Sequence, residues 1–158
     1  MKRLVVFDSF FGNTEKIAQA IGSALGAKAL RVADVKQEDL VDLDLLVVGS
    51  PTRAFRPTPT IVALLNSIPA NGLKGVKATA FDTRIDPSSI KKPFLRVFLN
   101  ILVSIFGYAA CPLSKLLENK GANIVSQPEG FMVDDTEGPL QKGELERAKE
   151  WAAVIGEK

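Results

Sequence analysis

An α/β fold, an open parallel sheet with helices on both faces, is what this sequence predicts, and three features of its patterning predict it. A short apolar run near the N-terminus is followed by a polar loop and then by apolar residues four apart, which reads as strand, loop, helix. Asp44-Leu45-Leu46-Val47-Val48-Gly49 is almost continuously apolar, as a central parallel strand covered on both sides must be. Strand-like and helix-like segments then alternate to the C-terminus without repeat, linker or low-complexity stretch, as in a series of right-handed crossovers. At 158 residues the chain reads as one domain, 1-158, long enough to bury about two thirds of its unfolded surface.

Each element follows from its residues. Leu4 to Phe7 is the first strand, Ser9 to Thr14 a loop of small and hydroxyl residues, and Ile17, Ile21 and Leu25 mark one face of a helix from Glu15 to Leu25. Ala29 to Val32 makes a short second strand, and the run at 44–49 a third. Pro59 to Ile68 suits a helix with Ile61, Leu64, Leu65 and Ile68 on one side, ended by Pro69. Val76 to Phe81 is the fourth strand. A helix over Pro93 to Phe106 follows, which Cys111-Pro112 ends or kinks. Ala122 to Val125 is the fifth strand, continued by Phe131-Met132-Val133 beyond an interruption at Pro128. Gly143 to Val154 closes the chain as an amphipathic helix with Leu145, Ala148, Trp151, Ala152 and Ile155 facing inward.

Composition removes whole classes of chemistry. The chain has no His and one Cys, Cys111. That excludes an internal disulfide, a Cys-based metal site, Ser-His and Cys-His nucleophile pairs and most zinc chemistry. We therefore assign no catalytic residue and no metal. Met1-Lys2-Arg3 is followed by too few apolar residues for a signal peptide, so the expected location is cytoplasmic. Net charge is only +2 but uneven. Arg53, Arg56, Lys74, Lys77, Arg84, Lys91, Lys92 and Arg96 face only Asp82 and Asp86 between residues 53 and 96, a pattern suited to an anionic partner or to a solvated surface. No aromatic-rich basic motif or helix-turn-helix pattern points to nucleic acid.

In the strand order 2-1-3-4-5 the chain reverses its direction across the sheet between strands one and three, and ligands bind outside the carboxyl ends there. The loops leaving those ends are Ser9–Thr14, Ser50–Pro59 and Asp82–Lys92, which hold the unusual residues of this sequence. The first aims backbone N–H groups and a helix dipole at an anion. It contains no Lys or Arg, so a phosphate there would rely on amides and on the Ser9 and Thr14 hydroxyls. Ser, Asn and Thr before a helix are equally ordinary N-caps, and on this segment alone both readings stand.

Ser9-Phe10-Phe11-Gly12-Asn13-Thr14 resembles the FMN-phosphate loop of flavodoxins, Thr/Ser-x-Thr-Gly-x-Thr, with Phe11 where a hydroxyl residue is common. Gly49-Ser50-Pro51-Thr52-Arg53-Ala54-Phe55 resembles the second flavin loop, with Phe55 as the aromatic over the isoalloxazine. Phe81-Asp82-Thr83-Arg84 would then lie on the flavin's other side. Gly121 to Val125 and Glu137 to Ala148 look like the closing segments of short bacterial and archaeal flavodoxin-domain proteins, so the resemblance spans nearly the whole chain. It implies a flavodoxin-like open five-stranded parallel sheet, FMN as cofactor, and cofactor-binding roles for Ser9, Phe10, Phe11, Gly12, Asn13, Thr14, Pro51, Thr52, Arg53, Ala54, Phe55, Asp82, Thr83 and Arg84. A response-regulator domain shares the topology but needs a phosphoacceptor Asp after strand three, where this chain has Gly49-Ser50-Pro51-Thr52.

FMN would bring the redox chemistry and the protein would set its potential. Arg53, Arg56 and Arg84 in the nearest loops would favour the anionic reduced ring, unless Asp82 or Asp86 pairs with them. Pro93 to Phe106 is apolar except for Arg96, Asn100 and Ser104, four apart in one narrow stripe. That is more apolar surface than one sheet covers. Fourteen residues span about 21 Å, too short for a bilayer. A homodimer or protein-partner surface, a peripheral membrane helix flanked by Lys91 and Lys92, and burial under the protein's own loops remain open. Three functions follow: an FMN electron carrier whose redox partner protein has an acidic surface, an NAD(P)H- or quinone-dependent FMN oxidoreductase, or a flavin-free assembly module. The chain shows no dinucleotide Gly fingerprint, which favours the carrier.

Overall fold

The computed structural model describes residues 1–158, the side chain of Phe106 excepted. Its elements are β1 (Arg3–Phe7), α1 (Asn13–Leu25), β2 (Lys28–Arg31), β3 (Leu45–Pro51), α2 (Pro59–Ser67), β4 (Lys77–Ile85), α3 (Pro93–Phe106), α4 (Ala110–Asn119), β5 (Asn123–Ile124), β6 (Glu129–Val133) and α5 (Glu144–Gly156). The strands are parallel in the order β2-β1-β3-β4-β5, and β6 also pairs with β4. β5 and β6 are thus the two halves of the fifth strand, interrupted around Pro128 as the sequence predicts.

Alternation along the strands divides the core in two. Leu4, Val6, Leu46, Val48, Ala78 and Ala80 face α2 and α4, where Ile61, Leu65, Leu113 and Leu117 are buried. Val5, Phe7, Leu45, Val47 and Phe81 face α1 and α5 through Ile17, Ile21, Ala148, Ala152 and Ile155. Covering both faces explains why β3 reads as one apolar run. On the second face Phe81, Phe131 and Trp151 meet edge to face, with centroids 6.0–6.5 Å apart. The Phe81 ring lies across Gly49, where a Cβ would come within 2.1 Å of it.

Three expectations are corrected. β4 does not stop at Phe81 but runs on to Ile85, because β6 pairs with residues 81–85, so Asp82, Thr83 and Arg84 belong to a strand and not to a loop. The helix from Pro93 ends at Gly107 (φ 71°, ψ −157°), and Pro112 sits in the first turn of a separate helix, α4, which the apolar periodicity did not reveal. A Pro near a helix start loses only N–H groups that have no intrahelical partner. Leu145 is 41% exposed, since α5 turns its Ala148-Ala152-Ile155 face to the sheet and leaves Leu145 at the edge.

Candidate functional site

A cleft of about 240 Å³ opens where β1, β3 and β4 end, walled by Phe10, Phe11, Asn13, Thr14, Pro51, Thr52, Arg53, Ala54, Thr83, Arg84, Ile85, Val133 and Thr136. Sequence-chosen residues from all three carboxyl-end segments meet there. Ile85, Val133 and Thr136 are the additions. The first lies on the unexpected extension of β4; Val133 ends the second half of the split strand and Thr136 follows it, and that strand's approach to the cleft had no local signal.

The first loop is fixed from behind. The Ser9 N–H donates to Asp8 Oδ1 (2.9 Å) and the Gly12 N–H donates to Ser9 Oγ (3.1 Å). Ser9 is buried and, with Gly12, stays off the cleft wall, shaping the loop from within. Asp8 accepts from the Thr60 hydroxyl (2.6 Å), and Arg31 reaches the Ser9 carbonyl (2.7 Å) and Glu15 (2.8 Å). Burial alone would raise the Asp8 carboxyl, but the hydrogen bonds of Thr60, Thr58 and Ser9 and the Arg31 charge hold it below its ordinary value.

Gly12 is the N-cap of α1 at φ 85°, and no side chain caps the helix. The N–H groups of Asn13, Thr14 and Glu15 have no intrahelical acceptor, and Asn13 and Thr14 line this end of the cleft. Thr14 Oγ1 lies 2.7 Å from Thr83 Oγ1, joining the first helix turn to β4. Asn13 Nδ2 donates to the Glu137 carbonyl (3.0 Å), and a Cβ on Gly138 would come within 2.7 Å of Asn13. Phe10 and Phe11 are 56% and 47% exposed, so they stand at the rim and not in the core.

The second loop is a two-residue turn. Arg53 and Arg56 exchange N–H···O bonds of 3.0 and 2.9 Å around Ala54 (φ 46°) and Phe55 (φ 65°). Two successive positive φ values make this a type I′ turn, built without the Gly or Asn that such turns prefer. The Arg53 guanidinium lies 4.6 Å over the Phe10 ring and closes the mouth of the cleft on that side. Ala54 is shared with an adjoining cavity of about 140 Å³, lined also by Thr52, Phe55, Arg84, Ile85, Leu99, Val103 and Tyr108. Phe55 stands in that second cavity, not on the cleft wall.

Asp82 and Arg84 are two apart on β4 and share a face. Arg84 grips the fully buried Asp82 carboxylate bidentately (2.6 and 2.8 Å), stacks 3.7 Å over Tyr108 and crosses Gly130, where any Cβ would collide with it. Asp82 also accepts from the Ala110 N–H (2.8 Å), fastening the start of α4. Burial pushes the Asp82 carboxyl up, opposed chiefly by Arg84. Arg84 reaches the cleft as half of a neutral pair, and Asp82 is not on the wall. The sequence left open whether Asp82 would pair with a nearby arginine; it pairs with Arg84, and Arg53 remains the cation at the mouth.

The donor set suits a phosphomonoester on a flat aromatic ring. An uncapped helix terminus and the Thr14 and Thr83 hydroxyls occupy one end, and Phe10, Phe11, Pro51, Ile85 and Val133 supply apolar walls. Among the described residues no cluster of His, Cys, Asp and Glu could hold a metal ion.

No protein-family model and no curated protein sequence matches the chain. Solved structures do. A flavodoxin from the domain Archaea is 19% identical, with a TM-score of 0.71 over 99% of this chain and 97% of that one. Oxidised flavodoxin 1 from Bacillus cereus is 18% identical, with a TM-score of 0.73 over 98% of this chain and 97% of that one. Two-electron reduced Megasphaera elsdenii flavodoxin is 18% identical, with a TM-score of 0.67 over 99% of each. In strand order, crossovers and length, the chain has the flavodoxin-like fold.

Proposed function

We propose that the chain binds FMN in the cleft and carries electrons between partner proteins. The observation that carries this reading is the uncapped N-terminus of α1, opening beside Thr14 and Thr83 into a slot with apolar walls. When bound, FMN supplies one- and two-electron redox chemistry. The rest is the work of the chain. The N–H groups of Asn13, Thr14 and Glu15 hold the phosphate, Phe10 and Phe11 cover the ring from the rim, and Ile85 and Val133 keep water from it. Arg53 holds positive charge at the mouth, and with Arg56 and Lys91 it offers a basic approach for a redox partner with an acidic surface. This reading belongs in the cytoplasm.

The adjoining cavity supports a second reading. Leu99, Val103, Phe55 and Tyr108 make it an apolar pocket beside the ring's place, suited to a quinone and unsuited to a charged nicotinamide dinucleotide. Purification and titration separate the readings. A yellow protein that binds FMN in preference to FAD supports the first, because the loop cradles one phosphate. A colourless protein that ignores added FMN refutes it and leaves a flavin-free module. Anaerobic mixing with NADPH and then with a quinone distinguishes a carrier, which reacts with neither, from an oxidoreductase.

A further inference from the structure

We infer that α3 is a docking surface for an anionic lipid bilayer. This goes beyond the flavin reading and does not depend on it. α3 touches the body along one side, where Leu99 and Val103 close the small cavity with Tyr108 and Phe55. Phe94, Val97, Phe98, Ile101 and Ile105 follow the spacing of a second face, and every one is exposed, from 51% at Phe98 to 78% at Phe94. The Phe94 and Phe98 rings stack on each other with centroids 6.5 Å apart.

Two observations choose the occupant. Every residue from Lys91 to Phe98 is exposed, so the first turns of α3 are bare on all sides, Leu95 included. A bilayer surface takes up both kinds of exposed residue, its acyl boundary receiving Phe94 and Phe98 and its headgroups receiving Lys91, Lys92 and Arg96. The segment between Asp86 and Glu118 contains no acid and carries Lys91, Lys92, Arg96 and Lys115. A second copy of α3 carries the same positive charge and offers it no carboxylate from that segment. Anionic headgroups answer that charge, and the apolar face enters the acyl boundary, the habit of an interfacial helix. Pro93–Asn119 taken together is long and apolar enough to cross a membrane. It does not run as one helix, because the chain breaks at Gly107 and α4 buries Leu113 and Leu117 against the sheet. Contact is therefore at the surface.

Vesicle flotation of the full chain, with and without added FMN, tests this. Vesicles of equal parts phosphatidylglycerol and phosphatidylcholine should bind the protein at least tenfold better than phosphatidylcholine alone, and added salt should release it. Phe94→Glu with Phe98→Glu should abolish flotation. Lys91→Gln with Lys92→Gln should weaken it by about 30-fold. Far-UV circular dichroism should be unchanged in both double variants, since all four side chains are exposed. A wild type without affinity for the anionic vesicles overturns the inference. So does a dimer in sedimentation velocity that the two Glu substitutions dissociate, which would give the face to a second copy.

Discussion

Gly12 is where backbone conformation and ligand binding are most tightly joined. It sits at φ 85° and ψ −3°, and a Cβ built there meets nothing within 4 Å. Replacing it with Val therefore acts through the backbone and not by collision with neighbouring protein atoms. The left-handed region costs an L-residue about 1–2 kcal/mol, and a β-branched residue the upper end of that range. For a chain of this length, about 2 kcal/mol lowers the melting temperature of the flavin-free protein by roughly 4–8 °C. Relieving the strain turns the first N–H groups of α1 away from the cleft. Losing one hydrogen bond to a charged phosphate removes about 1.5–3 kcal/mol, a tenfold to hundredfold weaker binding at about 1.4 kcal/mol per decade. Gly12→Asn is the control, because Asn tolerates this conformation and should lose less of both. Thermal melts of the flavin-free proteins and quenching of FMN fluorescence read the two effects separately. A Val variant with wild-type melting and affinity refutes the reasoning, as does equal loss of binding in Val and Asn variants.

Arg53 and Arg84 should part company in an anaerobic redox titration of the FMN-loaded protein. Arg53→Gln makes the second reduction step harder by tens of millivolts, about 59 mV for each 1.4 kcal/mol. Arg84→Gln moves it less and instead removes about 3–5 kcal/mol of stability in urea, by leaving Asp82 buried without its partner; equal shifts would show that the pair does not act as neutral. A second expectation concerns acid. Burial alone would raise the Glu144 carboxyl, but Arg147 (2.6 and 2.9 Å) and the Met132 N–H (2.6 Å) hold it below its ordinary value of 4.5. Its contribution to stability is then complete above pH 4.5 and is lost as pH falls through the lower folded value. Glu144→Gln should flatten that acid limb in melts taken across the pH series, and an unchanged limb would assign it to other carboxylates.

The sheet was legible because its strands are covered on both faces, and nothing but a continuous apolar run serves that position. The split of the fifth strand was legible at Pro128. The end of β4 was not. The charged Asp82 and Arg84 on either side of Thr83 hide the strand, and what makes it one is the pairing with β6, some fifty residues away. The same distance hid Val133 and Thr136 from any local reading of the cleft. The loop hydroxyls were legible as a group but not in their division of labour. Ser9 binds the Gly12 N–H within its own loop, while Thr14, equally buried, reaches across to Thr83 on β4. The partner decides between those two, and for Thr14 it lies 69 residues away.

The Ala109 and Ala110 N–H groups are held by Thr52 Oγ1 and Asp82 Oδ2, at 3.1 and 2.8 Å. These two bonds pin the chain just beyond Gly107, and the far end is pinned where β4 leaves the sheet at Ile85. Everything between is an excursion with fixed ends. Doubling the length of such an excursion raises its closure entropy by only about 0.6 kcal/mol. Asp86 and Ser89 still bond to Val133, Gln141 and Asp134, so the fold is nearly indifferent only to what lies between residues 90 and 107. A descendant could shorten it, recharge it or exchange α3 for another address without disturbing either the sheet or the cleft.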